Sequence, residues 1–210
     1  MKPIIAIDGP AAAGKGTLAR RLASTLGLPY LDTGLLYRAV GRRVLDADGD
    51  PADPAAAEAA ARSLRPEDLD RADLRGPQAD AAAASVASIP AVRAALLAFQ
   101  RDFAAEHGAV LDGRDIGTVI FPDASAKLFV TASVGERARR RWLELRAKDI
   151  DADITTVEAD LRQRDAKDAA RAAAPLREAA DAYRLDTSEM DAETAFQSAL
   201  VFLRSRIGGF

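Results

Sequence analysis

The chain has 210 residues, no cysteine, one histidine (His107), 29 basic against 32 acidic side chains, and 49% hydrophobic residues. These counts exclude a disulfide framework, a thiolate nucleophile, a cysteine-held zinc or iron–sulfur centre and a multi-histidine metal shell. A net charge of −3 argues against a nucleic-acid coat but leaves room for a locally basic cleft. Lysine stands only at 2, 15, 127, 148 and 167, so 24 of the 29 basic residues are arginine, the side chain that grips phosphate and carboxylate bidentately. The length fits one domain. No apolar run approaches a membrane span or a signal segment, so a cytoplasmic protein is expected, with no membrane or nucleic-acid partner and no need for more than a monomer.

In chain order, Pro3-Ile4-Ile5-Ala6-Ile7 has the apolar density of a strand covered on both faces. The small-residue loop Asp8-Gly9-Pro10-Ala11-Ala12-Ala13-Gly14-Lys15-Gly16-Thr17 follows it. A helix over 17–26 then carries Leu18, Leu22 and Leu26 on one face and ends at Gly27. Tyr30-Leu31 predicts a short strand, and Asp32-Thr33-Gly34 offers side-chain caps to a helix bearing Leu36, Val40 and Val44. Residues 46–78 are alanine, charge and proline, predicting weak helical pieces. Helices are expected at 79–87 and, after Ile89-Pro90, through Val92, Leu96, Leu97 and Phe103. Strands at 109–112 and 127–130, helices at 136–148 and 155–170, a strand at 184–186 and a helix at 192–207 complete the pattern. Strands alternating with helices predict an α/β fold with a parallel sheet flanked by helices.

The spacing Gly9-x-x-x-x-Gly14-Lys15, after a strand and opening a helix, is the phosphate-cradling arrangement. Glycines let successive backbone N–H groups curl around an anion, the helix N-terminus adds partial positive charge, and the lysine reaches the outer phosphates. Gly16 stands where many such loops carry a magnesium-binding hydroxyl, which arrives one residue later at Thr17. Mg²⁺ is therefore expected to be held mainly by phosphates and waters.

Four downstream clusters concentrate arginine and carboxylate: Asp32-Thr33-Gly34 with Tyr37-Arg38; Pro90-Ala91-Val92-Arg93; Asp112-Gly113-Arg114-Asp115-Ile116-Gly117-Thr118; and Arg164-Asp165-Ala166-Lys167-Asp168 with Arg171. The third follows a predicted strand, at the sheet edge where open α/β folds bind ligands. Arg164, Asp168 and Arg171 fall at i, i+4 and i+7, on one helical face. Taken alone, that stripe equally fits a solvated salt-bridge ladder, Arg93 a solvent-facing helix charge, and Asp115 a cap on the following turn.

Together, Gly9-Pro10-x-x-x-Gly14-Lys15-Gly16-Thr17, Leu31-Asp32-Thr33-Gly34-x-x-Tyr37-Arg38, Asp112-Gly113-Arg114-Asp115-x-Gly117-Thr118 and Arg164-Asp165-x-x-Asp168-x-x-Arg171 resemble bacterial cytidylate kinases nearly end to end. The resemblance implies a single P-loop kinase domain with core segments at 1–45, 105–148 and 172–210. It also implies an inserted helical monophosphate-binding lobe at 46–104 and a short lid at 149–171. ATP would be the phosphoryl donor, bound by Gly9, Pro10, Ala11, Ala12, Ala13, Gly14, Lys15, Gly16 and Thr17. CMP or dCMP would be bound by Thr33, Arg38, Arg93, Arg114, Asp115, Arg164, Asp168 and Arg171. Within that set, the resemblance puts Arg93 and Asp115 on the base, Arg164 and Asp168 on the ribose, and Arg38, Arg114 and Arg171 on the monophosphate. Lys15, Arg164 and Arg171 would act on the transferring group.

Cytosine offers acceptors at O2 and N3 and a donor at N4, so an arginine donor and an aspartate acceptor complement it; uracil reverses N3 and position 4. The chain departs from the family pattern at Ala84, where a base-contacting serine is usual and Ser85 stands adjacent, and in 46–78, which lacks a strand-like hairpin. Two other readings share the loop. An adenylate- or uridylate-type kinase would place other groups at Arg93 and Asp115, and a nucleotide-dependent switch would lack the second nucleotide pocket. Trp142 reads as packing rather than a base stack. Consecutive charges at Arg137, Arg139, Arg140 and Arg141 cannot all face one ATP site.

Overall fold

The elements run β1 (Ile4–Asp8), α1 (Lys15–Leu26), β2 (Tyr30–Asp32), α2 (Thr33–Asp46), α3 (Pro54–Arg62), α4 (Pro77–Ala87), α5 (Pro90–Ala105), β3 (Ala109–Gly113), β4 (Ala126–Thr131), α6 (Val134–Arg146), α7 (Ile154–Ala170), β5 (Tyr183–Asp186) and α8 (Ala192–Ile207). They are taken from a computed structural model that describes residues 2–208. The strands form one sheet in the order β2-β3-β1-β4-β5, with β1 parallel to β3 and β4, and β4 parallel to β5. Central β1 has Ile5, Ala6 and Ile7 fully buried, so both its faces are covered, as its unbroken apolar run requires. One side packs Leu18 and Leu22 of α1 with Phe196, Leu200 and Leu203 of α8 into the main hydrophobic core. The register pairs Asp8 with Gly113 and with Phe129. The loops after β1 and β3 therefore leave the sheet at the same edge, the one that binds ligands in open α/β folds.

Tertiary contacts divide the chain into two compact units, Met1–Leu31 with His107–Phe210, and Asp32–Glu106. The first carries the sheet, α1 and α6 to α8. The second is wholly helical: α2 to α5 and, within 66–74, two 3₁₀ turns at Pro66–Asp70 and Ala72–Leu74. It begins with α2, which the sequence groups with the core segments. Alanine and proline in this stretch produce α3, whose N-terminus is capped by the Asp53 carboxylate accepting from Ala55 N–H. Among the described residues no single helix is long and apolar enough to cross a membrane.

Local geometry departs from the sequence pattern in two places. Asp32 occupies the N-cap of α2, but its side chain accepts no capping bond and lies 3.7 Å from Arg75. Helix α7 ends at Ala170, and Arg171 has φ −57° and ψ 130°, so Arg171 leaves the helical face shared by Arg164 and Asp168.

In the helical unit α2 and α4 approach closely at Gly41. A Cβ there would lie 2.7 Å from Ala82 Cβ and 3.0 Å from its carbonyl carbon. Gly41→Ala must push the helices apart, and a loss of about 1–3 kcal/mol is expected from overpacking, read as a lowered melting temperature.

Candidate active site

The loop from Gly9 to Gly14 is shaped by backbone more than by side chains. Gly9 has φ +146°, and a Cβ on it would sit 1.9 Å from the Val130 carbonyl oxygen of β4, so no other residue fits. Ala12 has a left-handed φ of 59° and Gly14 one of 89°. Left-handed residues set among right-handed ones are the backbone form that gathers successive N–H groups around an anion. Pro10, Ala11 and Ala13 are buried, Gly14 and Thr17 are exposed, and Lys15 is buried with its Nζ donating to Pro10 O at 2.8 Å. Gly14 is the N-cap of α1, so the helix's partial positive charge adds to that of the loop.

Directly before the loop, Asp8 is buried at the end of β1. Its two carboxylate oxygens accept from the Ile116 and Gly117 N–H groups at 2.8 and 2.7 Å, lashing the start of the loop to the turn after β3. Burial pushes its pKa up to about 6; the Gly117 and Ile116 amides oppose the rise, Asp115 adds to it and Lys15 counters it. Asp112 accepts from the Tyr30 hydroxyl at 2.8 Å. Asp115 is buried at the head of a π-helical turn, Ile116–Ile120, and makes no side-chain cap to it.

The Asp168 carboxylate gathers the downstream arginines of this unit. Arg114 Nε donates to Oδ2 at 2.9 Å, Arg171 Nη2 donates to Oδ1, and Arg164 adds its charge from the preceding turn of α7. Burial alone would raise the pKa of Asp168, but Arg114, then Arg171 and Arg164, outweigh it and hold the carboxyl below the usual range. Three guanidinium groups around one carboxylate leave an excess of positive charge, the condition for receiving a phosphate. Arg171 thus joins the cluster from an extended segment by turning back on Asp168, and helical periodicity does not place it there.

In the helical unit Thr33 is buried in the first turn of α2. Arg38 Nε donates to Asp80 Oδ1 at 3.1 Å. Arg93 is buried rather than solvent-facing. Its guanidinium carbon lies 5.5 Å from the centre of the Tyr37 ring, and Nη1 donates weakly to Ala87 O at 3.5 Å. Ala84 is exposed, while the Ser85 hydroxyl donates to Ala81 O within its own helix.

The arginines of α6 separate by environment. Arg137 is buried, Arg139 and Arg140 pair with Glu136, and Arg141 pairs with Glu144. Trp142 donates Nε1–H to Ala152 O at 2.9 Å and lies under the Arg146 guanidinium, so it anchors the segment joining α6 to α7. Asp8, Asp80 and Thr187 have structural partners here that no motif announces. For Asp8 the only sequence signal is its place before the first loop glycine.

Residues 5–204 match the family model described as cytidylate kinase. The chain belongs to the cytidylate kinase family. Curated relatives named cytidylate kinase include one from Acidiphilium cryptum, 66% identical over 93% of this chain and 92% of the relative. Another, from Granulibacter bethesdensis, is 62% identical over 98% and 99%. A third, from Paramagnetospirillum magneticum, is 61% identical over 98% and 100%. Among solved structures, an uncharacterised protein from Eubacterium ventriosum superposes with a TM-score of 0.60 at 15% identity, covering 98% of this chain and all of that one. A Thermus thermophilus protein gives 0.52 at 21%, covering all of both chains. These two likenesses concern the fold.

The raised pKa of Asp8 makes its contribution to stability depend on pH. The folded chain holds this proton more tightly than the unfolded chain, where the value is the ordinary 3.8. The contribution of Asp8 to stability therefore falls as pH rises from about 4 through about 6 and is constant above. A carboxyl NMR titration is expected to place the Asp8 midpoint near 6, with the Ile116 and Gly117 amide shifts moving in the same transition. A midpoint near 4 would contradict the burial argument.

Proposed function

We propose that this chain transfers the γ-phosphoryl group of ATP to CMP or dCMP, giving ADP and CDP or dCDP. The observation that carries this reading is the convergence of Arg114, Arg164 and Arg171 on Asp168 in the same unit as the loop around Lys15. The attacking oxygen of the monophosphate is already ionised, so no general base is required. Positioning and neutralisation of charge on the transferring group are what remain for the protein to supply.

In this reading Gly9 to Thr17 cradle the ATP phosphates and Lys15 Nζ leaves Pro10 O for a phosphate oxygen. Arg164 and Arg171 act on the transferring phosphoryl group, and Arg38, Arg114 and Arg171 receive the monophosphate. Arg93 and Asp115 recognise the cytosine edge, Asp168 with Arg164 takes the ribose, and Thr33 contributes a hydroxyl to CMP. Residues 149–171 act as the lid that excludes water, which would otherwise hydrolyse ATP. The magnesium ion expected with ATP would be held mainly by its phosphates and waters and would supply charge neutralisation. Thr17 is the loop's nearest hydroxyl in sequence, one residue beyond Gly16, and this donor set fits an ion held mainly by phosphates and water. The reaction would take place in the cytoplasm, in a single copy of the chain.

Coupled measurement of ADP release with CMP, dCMP, UMP and AMP in turn tests the reading. Turnover is expected with CMP and dCMP, and monophosphate-independent ATP hydrolysis would sink it. Lys15→Ala is expected to lose about 10²-fold or more in kcat with an unchanged circular dichroism spectrum. Arg93→Ala is expected to lower kcat/KM for CMP by about 10- to 100-fold while narrowing the CMP/UMP ratio, since a buried donor facing an acceptor carries that discrimination.

A further inference from the structure

The phosphate loop is held from behind. In a trans peptide the carbonyl and the following N–H point in opposite directions, so a loop that aims N–H groups at an anion must send the preceding carbonyls the other way. The carbonyl of Ala11 accepts from Arg137 Nη1 at 3.2 Å, and that of Ala13 lies 3.3 Å from the Thr187 hydroxyl. Fixing those two carbonyls orients the N–H groups of Ala12 and Gly14, the two loop residues with left-handed φ.

Each of these donors is itself locked. Arg137 Nε donates to Ala132 O at 3.0 Å, and Nη1 and Nη2 grip the Asp165 carboxylate at 3.1 and 2.6 Å, next to Arg164 on α7. Thr187 Oγ1 accepts from Arg140 Nη1 at 3.0 Å, which turns the hydroxyl proton away from α6 and toward two carbonyls, Ala13 O at 3.3 Å and Thr131 O at 3.1 Å, the second of which the Thr187 N–H already serves at 2.8 Å. The methyl of Ala11 packs into the small core of Ala138, Leu145, Val157 and Leu161 between α6 and α7. Arg137 itself has 6% of its side chain exposed. A buried ion pair of this kind contributes little net stability, because desolvation offsets its attraction. Its geometry, with donors directed at the loop, at Ala132 just past β4 and at Asp165 of α7, suits orientation.

We propose that Arg137 and Thr187 are positioning residues for phosphoryl transfer, which aim the loop's amides at the donor phosphates. The proposal deepens the kinase reading but depends only on triphosphate binding at the loop.

Arg137→Lys keeps the charge but cannot serve Ala132, Ala11 and Asp165 together. Calorimetry with the β,γ-imido analogue of ATP is expected to show affinity falling about 10- to 100-fold, as displaced reacting groups do, with CMP affinity within about twofold of wild type. Faster amide exchange at Ala12 and Gly14 is expected alongside. Arg184→Ala, an exposed arginine of β5 paired with Glu178, should change neither affinity. Unchanged analogue affinity in Arg137→Lys, or an equal loss of analogue and CMP affinity, would overturn the proposal. If Arg137→Lys melts early, Thr187→Val, which deletes only the hydroxyl's bonds, decides the matter by the same two criteria. Should the chain bind the triphosphate analogue yet turn over no monophosphate, the kinase reading fails while the loop proposal is still read from the calorimetry.

Discussion

A backbone that wraps its N–H groups around an anion turns its carbonyls toward the protein, and buried carbonyls without donors cost about 1–3 kcal/mol each. In this chain Lys15 donates to Pro10 O, Arg137 donates to Ala11 O, and the Thr187 hydroxyl lies within reach of Ala13 O. Two of those donors lie more than a hundred positions from the loop, and they can reach it only because β4 runs beside β1 and β5 beside β4. The strand order, the return of the chain through α6 and the segment after β5 thus form one support for nine residues. Gly9 shows how tight that support is, since its place beneath the Val130 carbonyl admits no side chain.

Two buried carboxylates organise the remaining site of the sheet-bearing unit, with opposite electrostatics. Asp8 is surrounded by backbone N–H dipoles and another acid, and burial wins, so its pKa rises. Asp168 is surrounded by guanidinium groups, which win against burial, so its pKa falls. The first ties together two segments 108 positions apart by hydrogen bonds to Ile116. The second holds Arg114, Arg164 and Arg171 close to one another, at a spacing their mutual repulsion would otherwise widen. Asp168 therefore keeps a positive site assembled, and Asp8 keeps the turn beginning at Asp115 at the foot of the phosphate loop.

Much of this was legible from residue order. Apolar runs and three-to-four-residue spacing located the strands and helices, since those periods reflect which side a residue faces. The loop from Gly9 to Lys15 was legible because its glycines and lysine stand close together in sequence, between a strand and a helix. Contacts that join distant segments were not. Arg171 looks helical by count, yet the helix stops one residue earlier and the arginine reaches Asp168 from extended chain. Asp32 has the residue type and position of a cap but makes no capping bond. Arg93, a charge on an amphipathic helix, is buried against Tyr37 because α2 and α5 belong to the same helical unit.

The sequence by itself determined the class of fold, the phosphate loop and the set of arginines and carboxylates that identify the family, because each is written in neighbouring residues or in a local period. Only the tertiary structure decided which arginine of 137–141 backs the loop, which carboxylate is pushed up and which is held down, and how Asp8 joins the first strand to the turn after the third. Those outcomes depend on burial and on donors brought in from other strands, and a pKa or a hydrogen bond answers to what lies within a few ångströms, whatever its distance along the chain.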